Sequence, residues 1–239
     1  PRHRELERSA SDERCKTKRR LAEAGQRQPI SGRNAELING PTIAAPSTKI
    51  SINENAVALT ELNLAEEQGH SAVEVSKVRW LLHFEGKNFD AALADAKRGL
   101  QAAPNDQAML RAVGDIQYEK KNYDESLASY RQALLGSPND GTLYYAIARV
   151  HQARGDVKGQ EDNAAAAVAR PNRFVNESNI LLADALHRQR KYPEAIAAYQ
   201  KVLAADPNNI QTYRSMGDIY RALSRFPVAI DITRQSFRI

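Results

Sequence analysis

Phe84-Glu85-Gly86-Lys87-Asn88-Phe89-Asp90 returns 34 residues later as Tyr118-Glu119-Lys120-Lys121-Asn122-Tyr123-Asp124. Aromatic answers aromatic in both stretches, and Glu, Lys, Asn and Asp keep their register between them. Pro104-Asn105-Asp106 recurs as Pro138-Asn139-Asp140, again after 34 residues. Pro207-Asn208-Asn209 lies 69 beyond Pro138, one interval of 34 and one of 35, and Pro171-Asn172 stands between them slightly early. From about Asn55 apolar residues recur at helical spacing, and Gly and Pro retreat to regular places. A fixed period of this size marks an array whose units cannot bury their apolar faces alone and so stack on one another.

Aligned on these marks, the chain divides into units at 73–106, 107–140, 141–175, 176–209 and an incomplete 210–239, preceded by a partial unit at 55–72. Two positions in each unit call for small residues. The eighth holds Gly114, Ala148, Ala183 and Gly217, and the twentieth holds Ala92, Ser126, Ala195 and Ala229, with Ala58 in the partial unit. Small side chains there let helix backbones approach without overpacking. Tyr130, Tyr144, Tyr199, Tyr213 and Tyr220 supply bulk elsewhere. Asp90, Asp124, Pro193 and Pro227 stand where a second helix begins, Asp to accept from free N–H groups and Pro because its missing N–H has no partner there. Pro104, Pro138 and Pro207 close that helix, and the Asn or Asp that follows can cap the next. Two departures stand out. Gln160 replaces the small residue of the third unit beside a thin Ala164–Ala167 run, which predicts an irregular helix over about 157–169. Arg79 and Trp80 sit where Leu and Gly are usual, which predicts a shifted helix or a modified end of the stack.

The period and landmarks resemble the tetratricopeptide repeat, over residues 55–239. The resemblance implies an all-α, right-handed α-solenoid of stacked antiparallel helix pairs, a superhelix in which each unit contacts its neighbours. It further implies a protein-interaction scaffold whose first helices line a concave groove and hold a peptide or protein segment. The groove positions it transfers are Lys77, Leu81 and Phe84 in the first full unit, and Arg111, Asp115 and Tyr118 in the second. The third contributes Tyr145, Arg149 and Gln152, the fourth Asp184, His187 and Arg188, and the fifth Arg214, Asp218 and Arg221. Arg forks suit carboxylates and Tyr offers a rigid amphipathic platform. Against this, Asp at the ninth position often serves the scaffold itself in such repeats. The carboxylate clamp of chaperone-binding members needs Asn ligands. Ninth positions here hold Leu81 and Asp115, and sixth positions hold Val78, Ala112, Ala146, Leu181 and Ser215, so no such clamp is expected. Arrays of this family also accompany catalytic domains, so the repeat portion of a larger bacterial glycosyltransferase or sulfotransferase is the alternative. Self-association through the apolar C-terminal end, with Ile230, Ile232 and Phe237, is a third reading.

Composition excludes several classes. The 239 residues are 42% hydrophobic and 26% charged, and no stretch approaches the roughly 20 apolar residues of a membrane-spanning helix. The formal charge of +5 sits in residues 1–50, which carry eleven Lys/Arg against six Asp/Glu; the remainder carries twenty-three of each. The folded part is therefore neutral, and nucleic acid is disfavoured as its partner. Residues 1–52 are basic and poor in large apolar residues, the composition of a flexible tail. A basic arm touching nucleic acid or an acidic membrane is the sharper reading, weakened by Glu5, Glu7, Asp12, Glu13 and Glu23. Cys15 is the one cysteine, so no intrachain disulfide forms. A reducing compartment such as the cytoplasm is the default, and a removed signal sequence would allow the periplasm. No cofactor or metal is expected. His83 and His151 occupy the eleventh, packing position two units apart, and His187 has no Cys or His at ligand spacing. No phosphate loop, nucleophile elbow or paired-Cys motif is present, so no enzymatic activity is expected.

Overall fold

The computed structural model describes residues 52–237, all within one compact unit, Pro46–Ile239. The tail expected at 1–52 lies outside the described residues except for Ile52, which opens the first helix. Among the described residues there are eleven α-helices and no strand. They are α1 Ile52–Glu67, α2 Ala72–Glu85, α3 Phe89–Ala102, α4 Gln107–Glu119, α5 Tyr123–Gly136 and α6 Gly141–Arg154. Then follow α7 Val157–Val168, α8 Val175–Arg188, α9 Tyr192–Ala205, α10 Ile210–Ala222 and α11 Phe226–Gln235. Each helix packs on the next along the chain, and first helices also meet one another, α2 on α4, α4 on α6 and α6 on α8. The protein is an all-α helical-repeat solenoid.

One turn, repeated five times, builds the helix pairs. Lys87, Lys121, Gly155, Arg190 and Ser224 all adopt left-handed φ values between 58 and 76°. At each, the N–H of the following residue reaches back to the first helix: Asn88 to His83 (2.8 Å), Asn122 to Gln117 (2.8 Å), Asp156 to His151 (2.9 Å), Lys191 to Leu186 (2.9 Å) and Arg225 to Tyr220 (2.8 Å). This closes the orphan carbonyls at the helix end and reverses the chain. Glycine is the residue best suited to that conformation, yet only Gly155 supplies it here.

Capping follows a different residue from the one the spacing suggested at the second helices. Asn88 accepts from the Ala91 N–H (3.3 Å), and Asp156 from the Gly159 N–H (2.9 Å). Asp90 and Asp124 reach outward instead. Asp90 pairs with Lys120, and Asp124 with Arg154 at 2.6 Å, each thirty residues on in the next unit. Glu161 meets Lys191 at 2.8 Å with the same separation. First helices are capped as expected after the Pro-Asn marks: Asp106 accepts from Met109 N–H (2.9 Å), Asp140 from Thr142 N–H (2.8 Å) and Asn209 from Thr212 N–H (3.0 Å).

The small positions lie where helices touch. Ala92, Ser126, Ala195, Ala148 and Ala183 have no exposed surface. A Cβ on Gly114 would fall 2.4 Å from the Tyr130 ring, which fills the space a larger residue would need. The first departure resolves differently from the sequence expectation, and of the two alternatives at the second the shifted helix is absent. α7 is unbroken rather than irregular. Gln160 is fully buried in it and donates from Nε2 to the Leu181 carbonyl of α8 at 2.8 Å. The Ala164–Ala167 run is thin enough for α8 to come close, so the amide crosses the gap that a small residue and an aromatic fill elsewhere. Arg79 does not shift its helix. It is buried, with Nε 2.9 Å from Asp95 of α3 and NH2 2.7 Å from Glu66 of α1, and NH1 donates to Asn63 at 2.7 Å. An ionic core thus replaces the apolar one where α1, α2 and α3 meet.

Candidate functional site

The positions that the sequence nominated on the first helices divide into three groups. Some are taken up by the scaffold. The buried Asp115 accepts from the Tyr130 hydroxyl at 2.5 Å, and Asp184 likewise accepts from Tyr199. Burial raises both carboxyl pKa values, opposed at Asp115 by Arg111 and at Asp184 by the Tyr199 hydrogen bond. Burial also raises the pKa of both tyrosines, reinforced in each by the neighbouring Asp115 or Asp184 carboxyl. Phe84 packs edge-on between Trp80 (5.8 Å) and Phe89 (5.5 Å). Lys77 is tied to Glu74 at 3.0 Å and Asp106 at 3.2 Å. The sequence pattern could not separate these from surface residues, because the ninth position looks the same whether or not a tyrosine stands fifteen residues on to bury it.

A second group converges at the middle of the array. The Arg149 guanidinium lies 4.5 Å above the Tyr118 ring of the preceding unit and 5.9 Å from the Tyr145 ring. Tyr145 stacks on Phe174 with centroids 4.8 Å apart, and Arg173 covers the other ring at 4.9 Å. Two cations and three aromatic rings therefore touch in succession from α4 across α6 to the loop before α8. Arg111 is half-buried at the edge of this cluster, close enough that its charge, after burial, lowers the Arg173 pKa. Phe174 and Arg173 were not nominated by sequence. The early Pro171 was the available signal: it opens a loop at 169–174 that carries the Phe174 ring inward beneath the exposed Arg173, where Asn172 Oδ1 accepts from the Phe174 N–H at 2.6 Å.

The third group is exposed. Gln152, Arg188, Arg214, Asp218 and Arg221 are open to solvent, and His187 is half-buried with its ring 6.0 Å from Tyr192. Arg214, Asp218 and Arg221 line a hollow of about 650 Å³ between α10 and α11 with Phe226, Ile230, Thr233 and Phe237. Asp218 pairs with Arg221. The hollow exists because Thr233 stands where the second and fourth units place Tyr130 and Tyr199, leaving Asp218 without a tyrosine to cover it. His151 is buried, as its packing position suggested, with Nδ1 2.8 Å from Asp156. Among the described residues no group of three or more His, Cys, Asp or Glu could hold a metal ion, and no helix is long and apolar enough to cross a membrane.

Residues 81–143 match a family model described as a tetratricopeptide repeat, and residues 183–224 match one described as a TPR repeat. No curated protein sequence matches the chain. Solved structures with the same fold include MamA 41-end from Desulfovibrio magneticus RS-1, 17% identical with a TM-score of 0.65, covering 70% of this chain and 94% of that one. YrrB, described as a TPR protein with an unusual peptide-binding site, is 18% identical with a TM-score of 0.63, over 76% of this chain and 91% of its own. A tetratricopeptide repeat protein from Parabacteroides merdae is 14% identical with a TM-score of 0.62, over 78% of this chain and 73% of its own. At these identities the likeness is one of fold.

Proposed function

We propose that this chain, which is a tetratricopeptide-repeat protein and in general terms a protein-interaction scaffold, holds an extended segment of another polypeptide along its first helices, centred on Tyr118, Tyr145 and Arg149. The observation that carries the reading is the Arg149 guanidinium held against two tyrosine rings from adjacent units. A cation fixed in this way loses little rotamer freedom when a ligand arrives, and Arg and Tyr in such positions dominate binding energies. The guanidinium fork would take a carboxylate of the bound segment, and the half-buried Tyr118 ring its apolar side chains. Arg188 and Gln152, exposed beyond this centre, would extend the contact. The fold likeness to YrrB is consistent with the reading.

The test is selection of peptides from a displayed random library against the full chain, followed by calorimetric affinities. Arg149→Glu is expected to weaken the selected peptides by about tenfold or more, the scale of a lost charge-assisted hydrogen bond. Peptides that bind Arg149→Glu, Arg188→Glu and the unaltered chain equally would remove the groove reading.

A second reading is favoured by a separate observation, the apolar and basic hollow between α10 and α11. It is a surface for self-association. Light scattering that finds only monomer across a dilution series would remove it.

A further inference from the structure

We infer that the α10–α11 hollow of one copy receives the exposed face of helix α1 of a second copy, so that chains associate head to tail. The inference rests on the reading of that hollow as a self-association surface and names what occupies it.

The two surfaces complement one another in shape of polarity and in sign of charge. The hollow has an apolar floor and rim, with Phe226, Ile230 and Phe237 exposed by 58, 56 and 78%. Three guanidinium groups, Arg214, Arg221 and Arg234, line it against one carboxylate, Asp218. Asp218 is held by Arg221 and Arg234 lies 3.8 Å from Asp231, which leaves Arg214 as the hollow's cation without an acidic partner among the described residues. At the other end, α1 contains four Glu and no Lys or Arg. Its inward side is fixed to the array through Asn63 and Glu66. Val57, Glu61 and Leu64 fall at offsets of four and seven residues, on a single helical face, and all three are exposed, Val57 by 55% and Leu64 by 38%. An apolar–acidic–apolar ridge thus matches an apolar hollow rimmed by cations.

Charge decides the polarity of the assembly. Two hollows placed together would oppose arginines to arginines, and two α1 ridges would oppose Glu61 to Glu61. Only the unlike pairing is attractive, because juxtaposed like charges disfavour the other two. An interface of this heterologous kind leaves a free hollow and a free ridge after every addition, so it extends into chains or closes into rings. The rim charges are exposed, so salt weakens the association.

The test uses the full chain and two variants altered only at exposed residues. Val57→Arg with Glu61→Arg blocks the ridge, and Ile230→Gln with Arg221→Gln blocks the hollow without making it acidic. By sedimentation velocity the unaltered chain is expected to form species beyond dimer as concentration rises. Each variant alone is expected to remain at the 26.6 kDa chain mass. Their equimolar mixture is expected to form a dimer and nothing larger, since one competent ridge and one competent hollow remain. A ridge-blocked variant that still self-associates would overturn the α1 pairing while leaving the C-terminal surface intact. An unaltered chain that stays monomeric throughout would overturn both. Retained helical circular dichroism in both variants separates loss of association from loss of fold.

Discussion

Gly114 and Tyr130 illustrate how single positions set the repeat. The glycine has no side chain because the Tyr130 ring lies where its Cβ would go, and the ring is pinned by its hydroxyl on Asp115. Gly114→Leu is therefore expected to lower stability by about 1–3 kcal/mol, read as a lower urea midpoint. Tyr130→Phe keeps the packing but leaves the buried carboxylate without its donor, for a loss of about 1–3 kcal/mol. The Asp115 pKa is raised by burial, so the folded chain binds that proton more tightly than the unfolded one. Its contribution is fully present below the ordinary aspartate value of 3.8 and is lost as pH rises through the higher folded value. Asp115→Asn, which still accepts from Tyr130, is expected to flatten that part of the pH dependence, measured as urea midpoints on either side of the transition. The left-handed turns give a gain instead. Lys121 at a φ of 63° carries a Cβ penalty of about 1–2 kcal/mol, and Lys121→Gly is expected to recover part of it, the rest being offset by the greater freedom of glycine when unfolded. These turns were invisible in sequence because Lys, Lys, Arg and Ser occupy four of the five. The small residues at positions eight and twenty were legible because steric exclusion leaves so few amino acids to choose from.

At the level of elements, the 34-residue period made the helix pairs readable, since hydrophobic spacing and Pro-Asn punctuation agree in the first, second and fourth full units. What it hid was how α1 is attached. Arg79 looks like an error in an apolar pattern and is instead the centre of an ionic cluster with Glu66, Asp95 and Asn63. Partners on two other helices cannot be inferred from the period of one. The Arg79 hydrogen bond, with Arg98 beside it, holds the Glu66 carboxyl below its ordinary value. The stability that this carboxylate provides is present above 4.5 and lost as pH falls through the lower folded value. Glu66→Ala is expected to raise hydrogen exchange over 52–67 while leaving α4 to α9 unchanged, because local opening of one helix does not require the array to unfold. Exchange rising equally throughout would show that α1 is part of the global unit.

For the whole molecule, contacts reach from each unit only to its neighbours, so stability is close to a sum over joints. Ile147→Asp in the buried core of α6 should divide the array and remove much of its helical circular dichroism, since an unpaired charge there disrupts both adjoining interfaces. Met216→Asp in α10 should melt α10 and α11 alone, giving a two-step urea curve with a small early phase. Equal losses from the two variants would show cooperativity extending across the full array. The groove was legible in outline, as a set of positions, because the repeat period carries it. Its composition was not. Phe174 enters from an irregular loop, and Asp115 and Asp184 leave it for tyrosines of the paired helix.

The ion pairs that join Asp90 to Lys120, Asp124 to Arg154 and Glu161 to Lys191 cross three successive joints, and Pro193 stands where the fourth would begin. The exposed pairs Asp90–Lys120 and Asp124–Arg154 are each worth at most about 1 kcal/mol. The joint between the fourth and fifth units is held by apolar packing without such a strut among the described residues. Salt is therefore expected to weaken the first three joints and to leave the fourth unchanged. A ligand that needs the solenoid to flex will find the hinge at α9–α10, and Pro193→Asp with Leu223→Lys would stiffen it.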